Sequence, residues 1–443
     1  MKRRAEKRVS FSRIEIVIFV AALVLRLVFM AAMITDLGSN HLTDKYPDPI
    51  KYIRAGDYMF GGDAEGKIDL YLVGPGYPFL LGLAKLIIGP IYWPIILLQI
   101  ILSAISCVLV FCLAKILLDN KYIAVVSGLL LAISMTSITL ANAIASETLF
   151  FFLMVLTLYL FFKYLPEKRW WPVILVGVIG GLTVLTRSVF MFYPVLLIIF
   201  ALIFIGFMHI AEKKRMVLNA IVCAAIIVAI SASWGLRNYE KHDTFTISAT
   251  GLLAAKTYLT SKVFVEGERQ KPERTVVIRD SVFQAALHDF ENNRYRENRQ
   301  ESIDYIYITF KRFPGLFIKQ YFRIVLYNVT AISSLQNILV PSWKKTFDAF
   351  DEYVHRGYDD PAYIAFALIG FAVLWRKNRG VAAILLLNVF YFAFLSGVTF
   401  GQGSRIFYPA LATESILVGT SLIFFYDIII LTAVKFGKAL KRN

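Results

Sequence analysis

The sequence predicts an all-α polytopic membrane protein, and three observations carry this prediction. The chain has 443 residues, of which 58% are hydrophobic and 15% aromatic. Its apolar residues recur in runs of about twenty, the length that crosses a bilayer as a helix. Its formal net charge of +16 comes mainly from short basic tails and loops between these runs. That distribution is typical of membrane topology and argues against nucleic-acid binding.

About ten apolar runs are candidate transmembrane helices. The first follows the basic start MKRRAEKR and is too long for a signal peptide, so we expect an uncleaved span. Basic loops alternate with less basic ones, which predicts cytoplasmic N- and C-termini. The runs are 14–34, 92–115, 122–141, 147–165, 172–186, 190–209, 216–235, 361–375, 380–398 and 406–432.

The spans and the polar segments between them predict three parts. Residues 1–235 form an N-terminal transmembrane module that includes a long first outer loop at 35–90. Residues 236–360 form an outer-facing soluble or juxtamembrane helical region, since they mix both charge signs with helical apolar spacing. Residues 361–443 contain the C-terminal transmembrane helices.

Two apolar segments in the outer regions differ from the ten candidate spans in length or charge. Segment 76–89 is too short to cross it, and a crossing would place the following basic loops outside. It is therefore interpreted as an interfacial or re-entrant helix. Segment 317–340 is aromatic and apolar but carries Lys319 and Arg323. A surface-lying amphipathic helix and a re-entrant pair both fit it.

The first outer loop is rich in carboxylates, which suggests chemistry on a lipid-borne substrate at the membrane surface. Asp48 precedes Pro49, a residue suited to a first helical turn, and shares a helical face with Tyr52, Ala55 and Met59. A catalytic role and a plain helix cap both remain open for Asp48. The other carboxylates are expected to be solvated. The seven are Asp36, Asp44, Asp48, Asp57, Asp63, Glu65 and Asp69.

Three arginines at the outer ends of separate spans are unusual, because topology places few positive charges outside. Arg187, Arg237 and Arg405 together are suited to binding a phosphate. Each alone is also compatible with snorkelling to lipid headgroups. Glu147 opens a span on the same side, where it is expected to position an acceptor, hold an arginine or cap the helix. Arg26 lies inside the first span, at a cost unless it faces protein or water.

The sequence implies no metal or other cofactor. It contains no HExxH, CxxC or Gly-rich phosphate loop, and its five histidines have no ligand spacing. Its cysteines, Cys107, Cys112 and Cys223, lie inside apolar runs and are interpreted as small core residues.

Several short motifs resemble the GT-C superfamily of integral membrane glycosyltransferases, in particular its protein-mannosyltransferase and lipid A aminoarabinose-transferase branch. The resemblance covers Asp48–Leu411. It departs from the family at Pro49, where a second acidic residue is frequent, and at Gly74, where some relatives carry a Lys. The matching motifs are Asp48 with Tyr52 and Ala55, PGYPFLLGLAKLIIG, ASETLFFFLMVLTLYLFF, GGLTVLTRS, SWGLRNY and RIFYPALA.

The resemblance implies a GT-C-like fold and transfer of a sugar, with inversion, from a polyprenyl-phosphate donor to a glycan, lipid or protein acceptor. The reaction is expected at the outer (periplasmic or extracellular) face of a bacterial or archaeal inner membrane, in cell-envelope glycosylation. Asp48 is the implied catalytic base. Arg187, Arg237 and Arg405 are expected to bind the donor phosphate. The expected substrate-positioning residues are Tyr52, Glu147, Asn238 and Tyr408.

Two other functions are alternatives. A flippase or transporter for a lipid-linked sugar is typically built from duplicated halves with interrupted helices, and no duplication is visible here. An O-antigen polymerase or ligase usually carries its dominant outer loop late in the chain, whereas the acidic loop here follows the first span.

Overall fold

The described part of the chain is helical throughout, as the sequence predicts. The structure is a computed structural model, and it describes residues 13–37, 48–62, 66–207, 213–330, 340, 342, 361–399 and 404–440. Every regular element within these ranges is a helix. The all-α prediction is therefore confirmed for them.

The helices follow the predicted order of spans and outer segments. A π-helical turn at Ala255–Thr260 joins α12 to α13, and 3-10 turns at Ser188–Phe190 and Tyr408–Ala410 follow α9 and α19. The helices are α1 (Arg13–Leu37), α2 (Asp48–Met59), α3 (Gly66–Val73), α4 (Gly76–Ile88), α5 (Trp93–Leu118), α6 (Lys121–Ile133), α7 (Met135–Ala141), α8 (Ser146–Tyr164), α9 (Trp171–Thr186), α10 (Tyr193–Phe207), α11 (Lys213–His242), α12 (Thr250–Ala254), α13 (Ser261–Gly267), α14 (Arg274–Glu291), α15 (Tyr295–Arg312), α16 (Pro314–Thr330), α17 (Pro361–Lys377), α18 (Arg379–Ser396), α19 (Ser404–Phe407) and α20 (Leu411–Leu440).

Each of the ten predicted spans is occupied by a helix, and the helices differ in length. Among the described residues, six are long and apolar enough to cross a membrane: α1, α5, α8, α11, α18 and the stretch Arg405–Thr432. The pair α6 and α7, bent by 55° at Ser134, makes a seventh if it counts as one broken span. The remaining three, α9, α10 and α17, have 16, 15 and 17 residues. The presence of several apolar spans is confirmed, and the count of ten crossings stays a prediction.

The helices at the centre pack closely because small residues face large ones. Helix α5 contacts α1, α6 and α8, and α9 packs between α8 and α11. A Cβ atom added to Gly180 of α9 would lie 2.6 Å from Ile227 Cδ1 of α11, and one added to Gly177 would lie 2.7 Å from Ile226 Cβ. These glycines therefore permit a close approach of the two backbones.

The outer segments 76–89 and 317–340 each contain helical residues. Segment 76–89 is α4, 13 residues long, which packs on α2 and α9; its short length agrees with an interfacial position. Segment 317–340 begins within α16, which buries Gln320, Ile324 and Asn328 and exposes Ile318, Phe322 and Leu326. Its position as a surface-lying helix or part of a re-entrant pair stays a prediction. Residues 331–339 lie outside the described ranges. The expected boundary after residue 235 falls inside α11, which continues to His242.

Candidate functional site

A buried carboxylate at the start of α8 holds two arginines from distant parts of the chain. Ala145 is extended, and the helix begins at Ser146, so Glu147 lies in its first turn. One oxygen, Oε1, lies 2.7 Å from Arg187 Nη1 and 2.6 Å from Arg405 Nε. Arg187 directly follows α9, and Arg405 lies in α19. The three side chains form what we call the Glu147 cluster.

The Glu147 cluster carries one net positive charge in a shielded place. The side chain of Glu147 is 3% exposed, against 25% for Arg187 and 11% for Arg405. Burial lowers the pKa of the Arg187 guanidinium, but the charge and hydrogen bond of Glu147 together with Tyr52 outweigh it, so the pKa lies above the ordinary value. The second carboxylate oxygen, Oε2, is buried and has no hydrogen-bond partner among the described residues. The cluster therefore has charge suited to an anion and an acceptor oxygen that is not yet used.

Helix α2 is attached to this cluster through Tyr52. The hydroxyl groups of Tyr52 and Ser146 are 2.9 Å apart, and Arg187 Nη1 donates to Ser146 Oγ at 3.2 Å. The Tyr52 ring packs edge-on against Tyr77 of α4, with ring centroids 5.0 Å apart. These contacts fix one face of α2 beside the first turn of α8.

Asp48 is the first residue of α2, so the predicted helix start is confirmed. It precedes Tyr52 by four residues and therefore shares its helical face, one turn nearer the N-terminus of α2. The side chain of Asp48 lies outside the part of the chain that the structure describes. Its catalytic role accordingly stays a prediction that rests on the placement of its helix.

A cavity of about 870 Å³ adjoins the Glu147 cluster and Tyr52. Part of its lining is apolar. This part consists of Met191 and Phe192, just before α10, and of Leu395 and Val398, at and just after the end of α18. Another part is charged and comes from α2, α14 and α15. Those charged residues are Lys51, Arg279, Asp280 and Arg299. The cavity thus combines an apolar wall with cationic groups, as an amphiphilic substrate requires.

Tyr408 lies beside the cavity, and its hydroxyl group points into the protein. Its ring stacks on Phe151, with centroids 4.4 Å apart and planes inclined by 25°. Its hydroxyl is 3.2 Å from Ser137 Oγ of α7. The hydroxyl is therefore engaged with the helix bundle, and only the ring is suited to contact a substrate.

Arg237 and Asn238, the other predicted site residues, lie apart from the cluster. The guanidinium carbon of Arg237 lies 4.7 Å from the ring centroid of Trp234, and Nη1 donates to Asn238 Oδ1 at 2.7 Å. Asn238 is buried and donates to the carbonyl of Thr246 at 2.7 Å. Neither is among the described residues that line the cavity. Their contacts stabilise the turn that follows α11. Of the three arginines predicted to lie together, Arg187 and Arg405 do so and Arg237 does not.

The expectation that the remaining loop carboxylates are solvated is wrong for two of them. Asp57 accepts from Lys85 Nζ of α4 at 2.7 Å, and Asp69 of α3 lies 2.9 Å from Arg54 Nε. Asp69 is buried. Asp36 accepts from the backbone and side chain of Ser342. The others, Asp44, Asp63 and Glu65, lie outside the described residues.

Sequence reasoning missed the contribution of the outer helical region to the cavity. No residue of α14 or α15 was predicted to belong to the site, yet Arg279, Asp280 and Arg299 line the cavity. The spacing of Asn298 and Ser302, four residues apart and both buried, was an available signal of an inward face. The spacing does not show which element packs against that face. The tertiary structure does.

The described residues contain no group of three His, Cys, Asp or Glu side chains arranged to hold a metal ion. Glu147, the buried acid of the site, is engaged by two guanidiniums. The expected independence from metal stays a prediction, and no step below uses a metal.

Comparison with known proteins gives one family match and several structural matches. The family model described as dolichyl-phosphate-mannose-protein mannosyltransferase matches residues 73–234, less than half of the chain. The matched stretch includes Glu147 and Arg187. Among curated proteins, no sequence matches this chain significantly.

The matching solved structures include oligosaccharyltransferases of the archaeon Archaeoglobus fulgidus. A crystal structure in complex with Zn and sulfate matches with a TM-score of 0.54 and 15% identity, covering 96% of this chain and 51% of that one. The structure of AglB with an inhibitory peptide and a dolichol-phosphate matches with a TM-score of 0.51 and 14% identity, covering 94% and 52%. An apo crystal structure matches with a TM-score of 0.54 and 14% identity, covering 96% and 52%.

These structural matches establish the fold alone, because the identities are low. The chain spans about half the length of the solved chains it matches. They confirm the predicted GT-C-like architecture, and the family model, which covers the segment carrying Glu147 and Arg187, supports the resemblance of this chain to the GT-C superfamily of integral membrane glycosyltransferases.

Proposed function

We propose that this protein transfers a sugar, with inversion, from a polyprenyl-phosphate donor to an acceptor at the outer face of the membrane. The observation that carries the proposal is the Glu147 cluster, where two arginines and a carboxylate meet beside a cavity with an apolar wall. A lipid phosphate needs both features in one place. The match of residues 73–234 to the mannosyltransferase family model supports the reaction type.

The cluster suits a phosphodiester in charge and geometry. Each guanidinium is planar and carries five N–H donors, and Glu147 accepts a hydrogen bond from one donor of each. The carboxylate thereby orients both arginines and leaves one net positive charge, which balances the single negative charge of a phosphodiester. The proposal assigns donor-phosphate binding to Arg187 and Arg405 and does not assign it to Arg237.

In the proposed reaction the acceptor hydroxyl attacks the anomeric carbon of the donor sugar. A bond forms between the acceptor oxygen and this carbon, while the bond from the carbon to the phosphate oxygen breaks. Asp48 takes the hydroxyl proton as general base, a role that typically contributes about 10²–10⁴-fold in rate. Negative charge grows on the departing polyprenyl phosphate, and Arg187 and Arg405 stabilise it. Attack opposite the leaving group inverts the anomeric centre.

The remaining lining residues suit the other parts of the substrates. The apolar side chains of Met191, Phe192, Leu395 and Val398 are suited to the first isoprene units of the donor. Glu147 Oε2, with no hydrogen-bond partner among the described residues, is suited to accept from a sugar hydroxyl. A glycan, a lipid or a protein would approach as acceptor from the side of α14 and α15. Among the structural matches, one is tethered to an acceptor peptide containing the NVT sequon.

The proposed setting is a bacterial or archaeal inner membrane with both termini in the cytoplasm. Basic loops at 115–121, 163–169, 209–215 and 375–379 support this orientation, because positive charge is retained on the cytoplasmic side. The Glu147 cluster would then lie at the opposite, outer surface.

The test is direct assay of donor cleavage. Purified protein in lipid is incubated with a panel of polyprenyl-phosphate sugars and candidate acceptors, and released polyprenyl phosphate is measured by mass spectrometry. Release is expected from at least one donor. Asp48→Asn is expected to lower the rate by about 10²–10⁴-fold, because the amide cannot take the proton.

Asp57→Asn is the matched control for this variant. It makes the same carboxylate-to-amide change on the same helix, but at a residue paired with Lys85, and we expect it to keep nearly the full rate. Release from no donor would contradict the proposed function and favour a transporter. Full activity of Asp48→Asn would remove the assignment of the base.

A further inference from the structure

Arg26 is a buried charge that the reaction above does not use. It lies within α1 and is completely buried among apolar helices. A charged side chain at this depth is costly in a membrane protein, and such residues usually mark a functional site. The question is what its placement achieves.

Arg26 donates hydrogen bonds to neutral acceptors on three other elements. Its Nε donates to Ser103 Oγ of α5 at 2.8 Å, and its Nη2 donates to Ser137 Oγ of α7 at 2.8 Å. Its Nη1 donates to the carbonyls of Ala22 and Ala132 at 2.9 and 3.1 Å. Every acceptor in this set is uncharged, so the guanidinium is held by dipoles and not by a carboxylate of this set.

These contacts fall at the break between α6 and α7. The two helices are inclined by 55° about Ser134, and carbonyls near such a break lack their usual helical partners. Arg26 satisfies one of them, Ala132 O, and Ser137 of the next helix at the same time. One guanidinium therefore bonds to both α6 and α7 at the break.

Two chain segments lead from this break to the Glu147 cluster. Asn142 directly follows α7, and its Nδ2 donates to the carbonyls of Arg26 and Ile138. Four residues later, α8 begins with Ser146. On the other side, Ser137 Oγ is 3.2 Å from the hydroxyl of Tyr408, three residues after Arg405. The first segment carries Glu147 and the second carries Arg405.

We propose that Arg26 is a positioning residue, which sets α7 and the 404–410 segment relative to each other so that Glu147 and Arg405 meet. This proposal rests on the proposed function, because it concerns the rate of that reaction. Arg26 acts through Ser137, Tyr408 and Asn142 and touches no substrate. Its loss would displace the arginine from the carboxylate, and a misplacement of about 1 Å in a site can lower a rate by about 100-fold.

The test compares Arg26→Gln and Arg26→Lys with Asn219→Ala, in the donor-cleavage assay and in thermal unfolding. Asn219 also donates two partly buried hydrogen bonds, to the carbonyls of Leu165 and Glu167, but at the other end of the bundle. We expect Arg26→Gln to lower kcat by about tenfold or more, with a smaller change in donor KM. Arg26→Lys is expected to recover part of kcat, and Asn219→Ala to retain it.

Combination with a cluster variant separates positioning from general destabilisation. Arg405→Lys should lower kcat by itself, and adding Arg26→Gln should change it by no more than about twofold further, because residues acting through one arrangement are non-additive. Losses that multiply in the double variant would overturn the proposal. A kcat of Arg26→Gln equal to that of Asn219→Ala would overturn it as well.

Tyr408→Phe keeps the proposal testable if the Arg26 variants do not fold. It removes only the hydroxyl that contacts Ser137 and leaves the ring on Phe151. We expect kcat to fall by about threefold or more with only a small fall in the unfolding temperature, because a single hydrogen bond is lost. Wild-type kcat in this variant would overturn the proposal. An inactive wild-type protein would instead overturn the proposed function, and the role of Arg26 with it.

Discussion

Two arginine sites at the outer ends of the helices look alike in the sequence and differ in the structure. In the Glu147 cluster, Arg187 and Arg405 reach a carboxylate that lies, for Arg405, 258 residues away in the chain. In the other site, Arg237 stacks on Trp234 and donates to Asn238, its immediate neighbours on α11. The first site adjoins a cavity, whereas the second secures a turn.

The difference teaches that the partner of a charge indicates its role better than its location does. An arginine served by its own helix contributes to local stability and needs no ligand. Two arginines that share one buried carboxylate retain a net positive charge, which costs free energy unless an anion completes the site. Of these two arginine sites, the Glu147 cluster is therefore the better candidate for a phosphate, because it also lines the cavity.

The largest expected effect in the cluster comes from Glu147→Gln. The substitution keeps the shape of the side chain but removes the carboxylate that both guanidiniums share. Breaking a buried pair in this way typically costs about 3–5 kcal/mol of stability. We expect a lower unfolding temperature and a fall of about 100-fold or more in donor cleavage, as for loss of a preorganised electrostatic group.

Addition of polyprenyl phosphate sharpens this prediction. An anion that replaces the lost carboxylate should raise the unfolding temperature of Glu147→Gln at least as much as that of the wild type. Asp69→Asn is the control, because Asp69 is also buried and paired with an arginine, Arg54, but does not line the cavity. Its unfolding temperature should fall while its donor cleavage persists. Equal losses of cleavage in both variants would contradict a special role for the cluster.

A smaller effect is expected from Tyr52→Phe. It removes the hydrogen bond between α2 and Ser146, and one such bond contributes about 0.5–1.5 kcal/mol. The rate of donor cleavage should fall by about two- to tenfold, because α2 carries the proposed base. Tyr193→Phe loses a buried hydroxyl that bonds to Asn388 and should leave the rate unchanged. A larger loss in the control than in Tyr52→Phe would argue against α2 as the carrier of the base.

The sequence was informative wherever a local pattern determines the structure. Pro49 and the spacing of Tyr52 and Ala55 predicted a helix from Asp48, and α2 begins there. Runs of apolar residues predicted the helical spans. The short length of segment 76–89 predicted a helix of the size of α4.

The pairing of charges could not be predicted, because it depends on which helices lie side by side. Arg187, Arg237 and Arg405 have similar sequence surroundings, and only packing separates the first and last from Arg237. For the same reason Asp69 was expected in solvent, whereas the structure buries it and pairs it with Arg54. Arg26 was recognised as costly, but its neutral partners on α5 and α7 lie 77 to 111 residues away.

The most direct test of the central claim is the affinity for polyprenyl phosphate, the proposed leaving group, measured for the wild type and for Arg405→Ala and Arg237→Ala. A hydrogen bond to a charged group contributes about 1.5–3 kcal/mol, so Arg405→Ala should weaken binding by about tenfold or more. Arg237→Ala should leave the dissociation constant within about twofold of the wild-type value. Unchanged affinity in Arg405→Ala, or an equal loss in Arg237→Ala, would contradict the assignment of the phosphate to the Glu147 cluster.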